Sequence, residues 1–190
     1  MRTFIAIAFP ETIRDYLKEV LERLKATGAD VKWVSPENIH LTLKFLGEVD
    51  AEKTEKIALI METIAKDTPC FRMSLSSLGA FPKIDYPRVI WMGVDKGGKE
   101  CKEIAMVLED KIAKLGITRQ DRPFSSHITV GRLRSYTHRE RLIQELRNPT
   151  IPATGKNPEF SVGQITLFKS TLTPAGPIYE PLKTVNLKAA

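Results

Sequence analysis

The sequence contains few cysteines, histidines and side-chain amides. Its 190 residues include two cysteines, three histidines and seven Asn or Gln residues. Cys70 and Cys101 have no CxxC spacing and no histidine neighbour, so we expect two buried thiols rather than a zinc site or a disulfide framework. HxH, HExxH and His/Asp ligand patterns are also missing, and we therefore expect no metal and no cofactor. The scarcity of amides beside abundant Lys and Glu is typical of thermophilic proteins.

The chain also lacks a long apolar run. The run near the N-terminus is ended by Pro10 and Glu11, which makes it too short for a signal sequence or a transmembrane helix. With 42% hydrophobic and 27% charged residues, the composition is that of an ordinary folded domain. We predict a cytoplasmic, monomeric protein without membrane attachment.

Negative charge is scarce in the second half of the chain. Residues 1–95 contain 13 basic and 14 acidic side chains, whereas residues 96–190 contain 16 basic and 9 acidic ones. Much of this excess is arginine, which matches the geometry of phosphate with two parallel hydrogen bonds. The asymmetry indicates either a polyanionic partner or a merely well-solvated surface, and charge alone leaves both open.

Short strands alternate with helices along the chain. Apolar residues at helical spacing predict helices over 11–27, 51–67, 98–117 and 137–148. Segments rich in β-branched and aromatic residues predict strands over 3–9, 30–34, 39–47, 70–81, 87–95, 125–133, 159–170 and 176–187. This order predicts a compact α+β protein.

One predicted strand, within ENIHLTLKFLGEV, carries a polar stripe. The period of two places His40, Thr42 and Lys44 on one face and the apolar residues up to Phe45 on the other. On its own, such a stripe is usually the solvent face of a half-buried strand. The pattern recurs, however: HLTL begins at His40 and HITV begins 87 residues later at His127. That spacing predicts two related halves of about 90 residues.

The two motifs would bring two imidazoles and two threonine hydroxyls together if their strands face each other across a cleft. Imidazole titrates near neutrality, so the pair can supply one neutral base and one protonated acid. Threonine hydroxyls can donate hydrogen bonds to an anionic oxygen. A phosphodiester fits this set, because in-line displacement needs a base at the entering oxygen and an acid at the leaving oxygen. The imidazole nitrogens should then lie roughly 5–8 Å apart.

The two motifs and the segments around them carry a resemblance that spans nearly the whole chain. The segments are RTFIAIAFP, VKWVSPENIHLTLKFLGEV, LGAFPKIDYPRVIWMGV, RPFSSHITVGRLR and ITLFKSTLTPAGPIYEPL. The sequence resembles the two-histidine (2H) phosphoesterases, and among them the RNA 2′,3′-cyclic phosphodiesterases, also called 2′-5′ RNA ligases or LigT-like proteins. The resemblance implies one domain over 1–190 with two pseudo-symmetric lobes. Each lobe would have an antiparallel sheet with outer helices and one H-x-T motif, at 40–43 or 127–130, at a central cleft.

The resemblance also implies roles for particular residues. His40 and His127 would be the acid–base pair, with His127 orienting the water and His40 protonating O3′. Thr42 and Thr129 would hold the phosphate. Val130 stands where the family more often has Leu, which is a conservative change on the buried face.

Other residues near the motifs have alternative interpretations. Arg132 would bind phosphate, but its odd spacing from His127 requires a bulge at Gly131. Lys44 has the parity to extend the polar stripe, although a surface lysine is the commoner outcome. Three phenylalanines are candidates for stacking a nucleobase, with core packing the more common role, namely Phe45, Phe81 and Phe124.

Two further groups of residues are assigned no part in catalysis. We expect His138 to be an exposed residue at a helix start. Trp33 and Trp91 fit strand cores.

The sequence therefore predicts metal-independent hydrolysis of a terminal RNA 2′,3′-cyclic phosphate to a 2′-phosphate, with possible reverse 2′-5′ ligation. The partner would be an RNA or a nucleotide with a cyclic phosphate end. The alternative is a catalytically idle RNA-binding module that uses the basic C-terminal half.

Overall fold

The structure is a computed structural model that describes residues 1–148, 157–174 and 176–189. The strands within these ranges are β1 (Arg2–Ala8), β2 (Val31–Trp33), β3 (His40–Glu48), β4 (Phe71–Lys83), β5 (Tyr86–Val94), β6 (His127–Leu133), β7 (Glu159–Val162), β8 (Gln164–Thr173) and β9 (Gly176–Asn186). The helices are α1 (Glu11–Ala26), α2 (Ala51–Asp67), α3 (Gly98–Ala113) and α4 (Arg139–Arg147), with a 3₁₀ turn at Pro36–Asn38. None of these helices is long and apolar enough to cross a membrane.

The strands form two antiparallel sheets, which confirms the predicted α+β class with two lobes. The first sheet has the order β3-β1-β8-β9 and the second has the order β2-β6-β5-β4-β7. Apart from the short edge strand β2, each strand of one sheet has a counterpart in the other, and β3 corresponds to β6. The two strands that carry H-x-T thus occupy equivalent places.

The helices follow the same pseudo-symmetry. Asp50 caps the start of α2, since its side chain accepts a hydrogen bond from the Lys53 backbone N–H at 2.7 Å. α2 and α3 lie together against the first sheet, and α4 lies against the second with α1 beside it. Since α3 follows a strand of the second sheet but packs on the first, the two lobes share one continuous core.

The predicted strand over 159–170 is two strands in the structure. β7 pairs with β4 in the second sheet, whereas β8 pairs with β1 in the first, and Gly163 lies between them. The apolar alternation changes phase at this point, from Phe160 and Val162 to Ile165 and Leu167, which is the sequence signal that a single predicted strand overlooks.

β3 and β6 contain β-bulges at matching positions. In β3, Thr42 pairs with Ala6 and Lys44 pairs with Ile5, which leaves Leu43 without a partner. In β6, the same irregularity leaves Val130 unpartnered between Thr129 and Gly131. An extra residue reverses the faces of the side chains that directly follow it. Both bulges therefore follow directly after the H-x-T triplet.

The bulge in β3 overturns two expectations that rest on strict alternation. Lys44 does not extend the polar stripe but is 0% exposed among apolar side chains. Phe45, expected on the apolar face and in core packing, is 53% exposed and lies on the face of His40 and Thr42. A period of two predicts faces correctly only as far as the first bulge.

Lys44 connects the first lobe to the segment before the second motif. Its Nζ donates to Glu109 of α3 at 2.7 Å, and the other Glu109 oxygen accepts the Gln120 backbone N–H at 2.9 Å. Gln120 belongs to the segment between α3 and β6. A buried ammonium without its carboxylate is costly, so this pair fixes the position of that segment relative to β3.

Glu109→Ala should lower the free energy of unfolding by about 3 kcal/mol, because it leaves the Lys44 charge buried and unpaired. The double variant Lys44→Met/Glu109→Ala should recover most of this loss, since it removes the stranded charge. Urea unfolding of both variants measures the difference. If the double variant is no more stable than Glu109→Ala alone, the unpaired Lys44 charge is not the cause of the lost stability.

Candidate active site

His40 is the first residue of β3, and its ring is held by the turn before it. The imidazole Nδ1 lies 2.7 Å from the Asn38 carbonyl oxygen. The Asn38 side chain in turn donates to the Pro177 carbonyl at 2.9 Å, which ties the turn to β9. The 3₁₀ turn at Pro36–Asn38 is therefore what orients this histidine.

His127 is held in the same way at the start of β6. Its Nδ1 lies 2.8 Å from the carbonyl oxygen of Ser125, again two residues earlier. The next residue, Ser126, donates its hydroxyl to the Gly98 carbonyl at 3.1 Å. A carbonyl only accepts hydrogen bonds, so Nδ1 carries the proton in both rings. In each neutral imidazole the basic nitrogen is then Nε2, which also donates after protonation.

The two strands that carry these histidines adjoin. β3 is the edge strand of its sheet, and β2 pairs with residues 131–133 of β6. Cα atoms of β3 and β6 come within 8 Å of each other. Thr42 and Thr129 are half-buried on the same faces as their histidines. The separation of the two imidazoles stays a prediction.

Arg132 lies on the face of His127 and Thr129, because the bulge at Val130 supplies the change of parity that its spacing requires. No side chain fits at Gly131, where a Cβ would lie 2.6 Å from Val31. Arg132 is exposed and, among the residues that the structure describes, makes no ion pair. A guanidinium group without an ionic partner at this position can bind an anion such as phosphate.

Tyr179 of β9 lies near both His40 and the positive charge of Arg132. Its ring lies edge-on to His40, with 5.2 Å between ring centroids. Burial raises the pKa of Tyr179, and the nearby positive charges of Arg2 and Arg132 oppose this increase. Arg132, from the second half of the chain, therefore lies close to a side chain that contacts His40.

Aromatic rings surround both histidines. Phe4 stacks on His40 with 4.7 Å between centroids, and Phe81 lies edge-on to His127 at 5.1 Å. Phe81 also packs on Trp91 at 5.3 Å and is partly exposed. Burial lowers the pKa of His40 below its ordinary value, against a smaller opposing effect of the Asn38 hydrogen bond. The neutral form of His40 is thus favoured in the free protein.

The remaining predicted residues lie where the sequence analysis places them, with one partial exception. His138 is the exposed N-cap of α4, with a positive φ of 51°. Cys101 is buried, and burial raises the pKa of its thiol to about 12. Cys70 is only half-buried and is also unpaired. Phe124 is half-buried against the core.

Across residues 1–148, 157–174 and 176–189, no three His, Cys, Asp or Glu residues are grouped as metal ligands would be.

Comparison with known proteins places the chain beside phosphoesterases. The family model described as "LigT like Phosphoesterase" matches residues 7–91 and 93–179, and each segment contains one H-x-T motif. An RNA 2′,3′-cyclic phosphodiesterase of Thermotoga maritima is 37% identical over 183 residues, covering 96% of this chain and 93% of that protein. The Escherichia coli protein of the same name is 32% identical over 185 residues, covering 96% and 94%.

Solved structures give the same comparison. Thermus thermophilus TT0787 superposes with a TM-score of 0.81 at 28% identity, covering 100% of this chain and 99% of that one. E. coli LigT in complex with 3′-AMP gives a TM-score of 0.77 at 30% identity, covering 98% and 97%.

The titration of His40 should reflect its burial. In NMR experiments its midpoint should lie below about 6.5, because the buried ring resists protonation. Because the pKa of His40 is lower in the folded than in the unfolded protein, the unfolded state binds more protons at acidic pH. The free energy of unfolding should therefore decrease as the pH falls below about 6.5. Inorganic phosphate should raise the midpoint, since an adjacent anion stabilises imidazolium.

The signals of His138 serve as the internal control and should not respond to phosphate. A His40 midpoint above 6.5 in the free protein would contradict the burial argument. No response of His40 to saturating phosphate would separate it from any anion site.

Proposed function

The chain belongs to the LigT-like phosphoesterase family, and on that premise we propose that it hydrolyses the terminal 2′,3′-cyclic phosphate of RNA to a 2′-phosphate without a metal ion. The reaction breaks the bond between phosphorus and O3′ and forms one between phosphorus and a water oxygen. The observation that carries the proposal is the matched pair of histidines, each at the start of an H-x-T strand and each with Nδ1 held by the carbonyl two residues before it.

This pair can move both protons that the reaction requires. We assign His127 to accept a proton from the attacking water and His40 to donate one to the leaving O3′. Each transfer would use Nε2, because Nδ1 is committed to the backbone. In-line attack requires the two groups to approach phosphorus from opposite sides, and two adjoining strands with equivalent histidines suit that requirement.

The lowered pKa of His40 makes its acid role dependent on the substrate. In the free protein this ring favours the neutral form. A bound cyclic phosphate carries a negative charge, which stabilises the imidazolium and raises the pKa of the ring. His40 would therefore acquire its proton together with the substrate, and give it up as the bond to O3′ breaks.

The phosphate oxygens need donors while negative charge is redistributed. Thr42 and Thr129 lie next to the histidines on the same faces, and Arg132 adds a positive charge without an ion pair among the described residues. We assign these three side chains to the non-bridging oxygens. Phe45, exposed on the same face as Thr42, can stack the terminal nucleobase.

The same groups permit ligation, in which another nucleophile opens the cyclic phosphate. A 5′-hydroxyl in place of water would attack the cyclic phosphate and yield a 2′-5′ linkage, with no change in the role of either histidine. We propose this ligation as a secondary activity. The monomeric state and the cytoplasmic location expected from the sequence stay predictions.

His40→Ala and His127→Ala should each reduce the turnover of a nucleoside 2′,3′-cyclic phosphate by about 10²-fold or more, because each removes one proton transfer. The wild-type protein should keep its activity in excess EDTA, since the imidazoles perform both transfers. Release of the nucleoside 2′-phosphate measures turnover.

His138→Ala is the matched control and should behave as wild type. Activity lost in EDTA and restored by a divalent ion would indicate a metallohydrolase. RNA binding without any turnover would favour the alternative of a binding module in the basic C-terminal half. An inactive His138→Ala beside an active His40→Ala would contradict the site assignment.

A further inference from the structure

A joined group of two tyrosines and an arginine lies beyond the end of the second H-x-T strand. Tyr86 begins β5, Tyr136 follows β6, and Arg139 begins α4. The two phenol hydroxyls are 2.9 Å apart, and the rings lie 5.7 Å from each other. The Arg139 guanidinium lies 5.2 Å from the Tyr86 ring centroid and 4.8 Å from that of Tyr136. We call these three residues the Tyr–Arg cluster.

Both tyrosine side chains of the cluster are exposed to solvent. Tyr136 is 54% exposed and Tyr86 is 40% exposed. Arg139 is the less exposed member, and its buried Nε has no hydrogen-bond partner within the part of the chain that the structure describes. Exposed tyrosine rings supported by a guanidinium form a surface on which a nucleobase can stack.

A positively charged strip joins the cluster to the phosphate site. Arg132 pairs with Val89, so Tyr86, three residues before Val89, and Tyr136, four residues after Arg132, leave the sheet at the same end. Arg134 lies on that path and is exposed. Neither Arg132 nor Arg134 makes an ion pair among the described residues.

Arg88 adds a further positive charge beside the cluster. Arg88 follows Tyr86 by two residues in β5. The hydrogen bond with Tyr86 raises the pKa of Tyr136, and the charges of Arg88 and Arg139 oppose this increase. Arg88 is exposed and likewise has no ion pair among the described residues. A chain of phosphates running from the cleft toward Tyr136 would therefore pass near uncompensated arginines.

We propose that the Tyr–Arg cluster binds the body of a single-stranded RNA whose cyclic phosphate end occupies the cleft, by stacking a nucleobase several nucleotides upstream on Tyr136. This inference rests on the proposed function and extends it from the terminal nucleotide to the RNA chain. The seven steps along the chain from Thr129 to Tyr136 span at most roughly 23 Å at the rise of a β-strand, a distance that a short oligonucleotide bridges. A mononucleotide does not reach so far.

Two substrates separate this contact from the chemistry, namely a nucleoside 2′,3′-cyclic phosphate and a single-stranded RNA of about ten nucleotides with the same end. Tyr136→Ala should reduce kcat/KM for the RNA about tenfold, through KM, and leave the nucleoside reaction unchanged. Tyr136→Phe should keep the RNA activity, because it retains the ring and loses only the hydroxyl. Arg134→Glu should also raise KM for the RNA, whereas Lys102→Glu, the same charge change on the exposed face of α3, should not.

Three results would overturn the inference while leaving the proposed function intact. The first is an equal effect of Tyr136→Ala on both substrates, which would mean that the cluster only supports the fold. The second is no effect on either substrate. The third is a loss in Tyr136→Phe as large as that in Tyr136→Ala, which would exclude stacking. A wild-type protein that turns over neither substrate would instead refute the proposed function.

Discussion

The hydrogen bond from each imidazole Nδ1 to a carbonyl two residues earlier is the constraint on which the candidate chemistry depends. It fixes the tautomer and leaves Nε2 as the only nitrogen free to exchange a proton with a bound molecule. The carbonyls belong to segments anchored elsewhere in the fold, one to β9 through Asn38 and the other to the start of α3 through Ser126. The sheets thus fix the position of each histidine, and the backbone carbonyl before each strand fixes the orientation of its ring.

The matching bulges determine which side chains share a face with the histidines. One extra residue after each triplet brings Arg132 and Phe45 to equivalent places beside the two threonines. The residue that directly follows each bulged residue faces inward instead. One is Gly131, against which Val31 and Trp33 of β2 pack. The other is Lys44, which donates to Glu109 beneath the first sheet. A single irregularity, repeated in both halves, therefore accounts for the contents of the candidate site and for a contact between the lobes.

Much of the fold follows from the sequence, because amphipathic helices and alternating strands leave clear periodic signals. The repeat of H-x-T, 87 residues apart, also predicts the two equivalent strands. The faces of Lys44 and Phe45 do not follow, since a bulge shifts parity without a required residue type on that strand. The change of sheet at Gly163 leaves only a local signal, a shift in the phase of the apolar residues, and this shift does not specify that β7 and β8 join different sheets. The Tyr–Arg cluster is formed by residues from three elements, which local patterns do not bring together.

The central claim is that two histidines act on one phosphate from opposite sides. A crystal structure with a nucleoside 2′-phosphate bound tests it most directly. The account predicts His40 Nε2 at about 3 Å from O3′ and His127 Nε2 at about 3 Å from a phosphate oxygen on the far side of phosphorus. A closed, ordered site in which the two imidazoles lie more than about 12 Å apart would contradict it, because no single phosphate could then reach both.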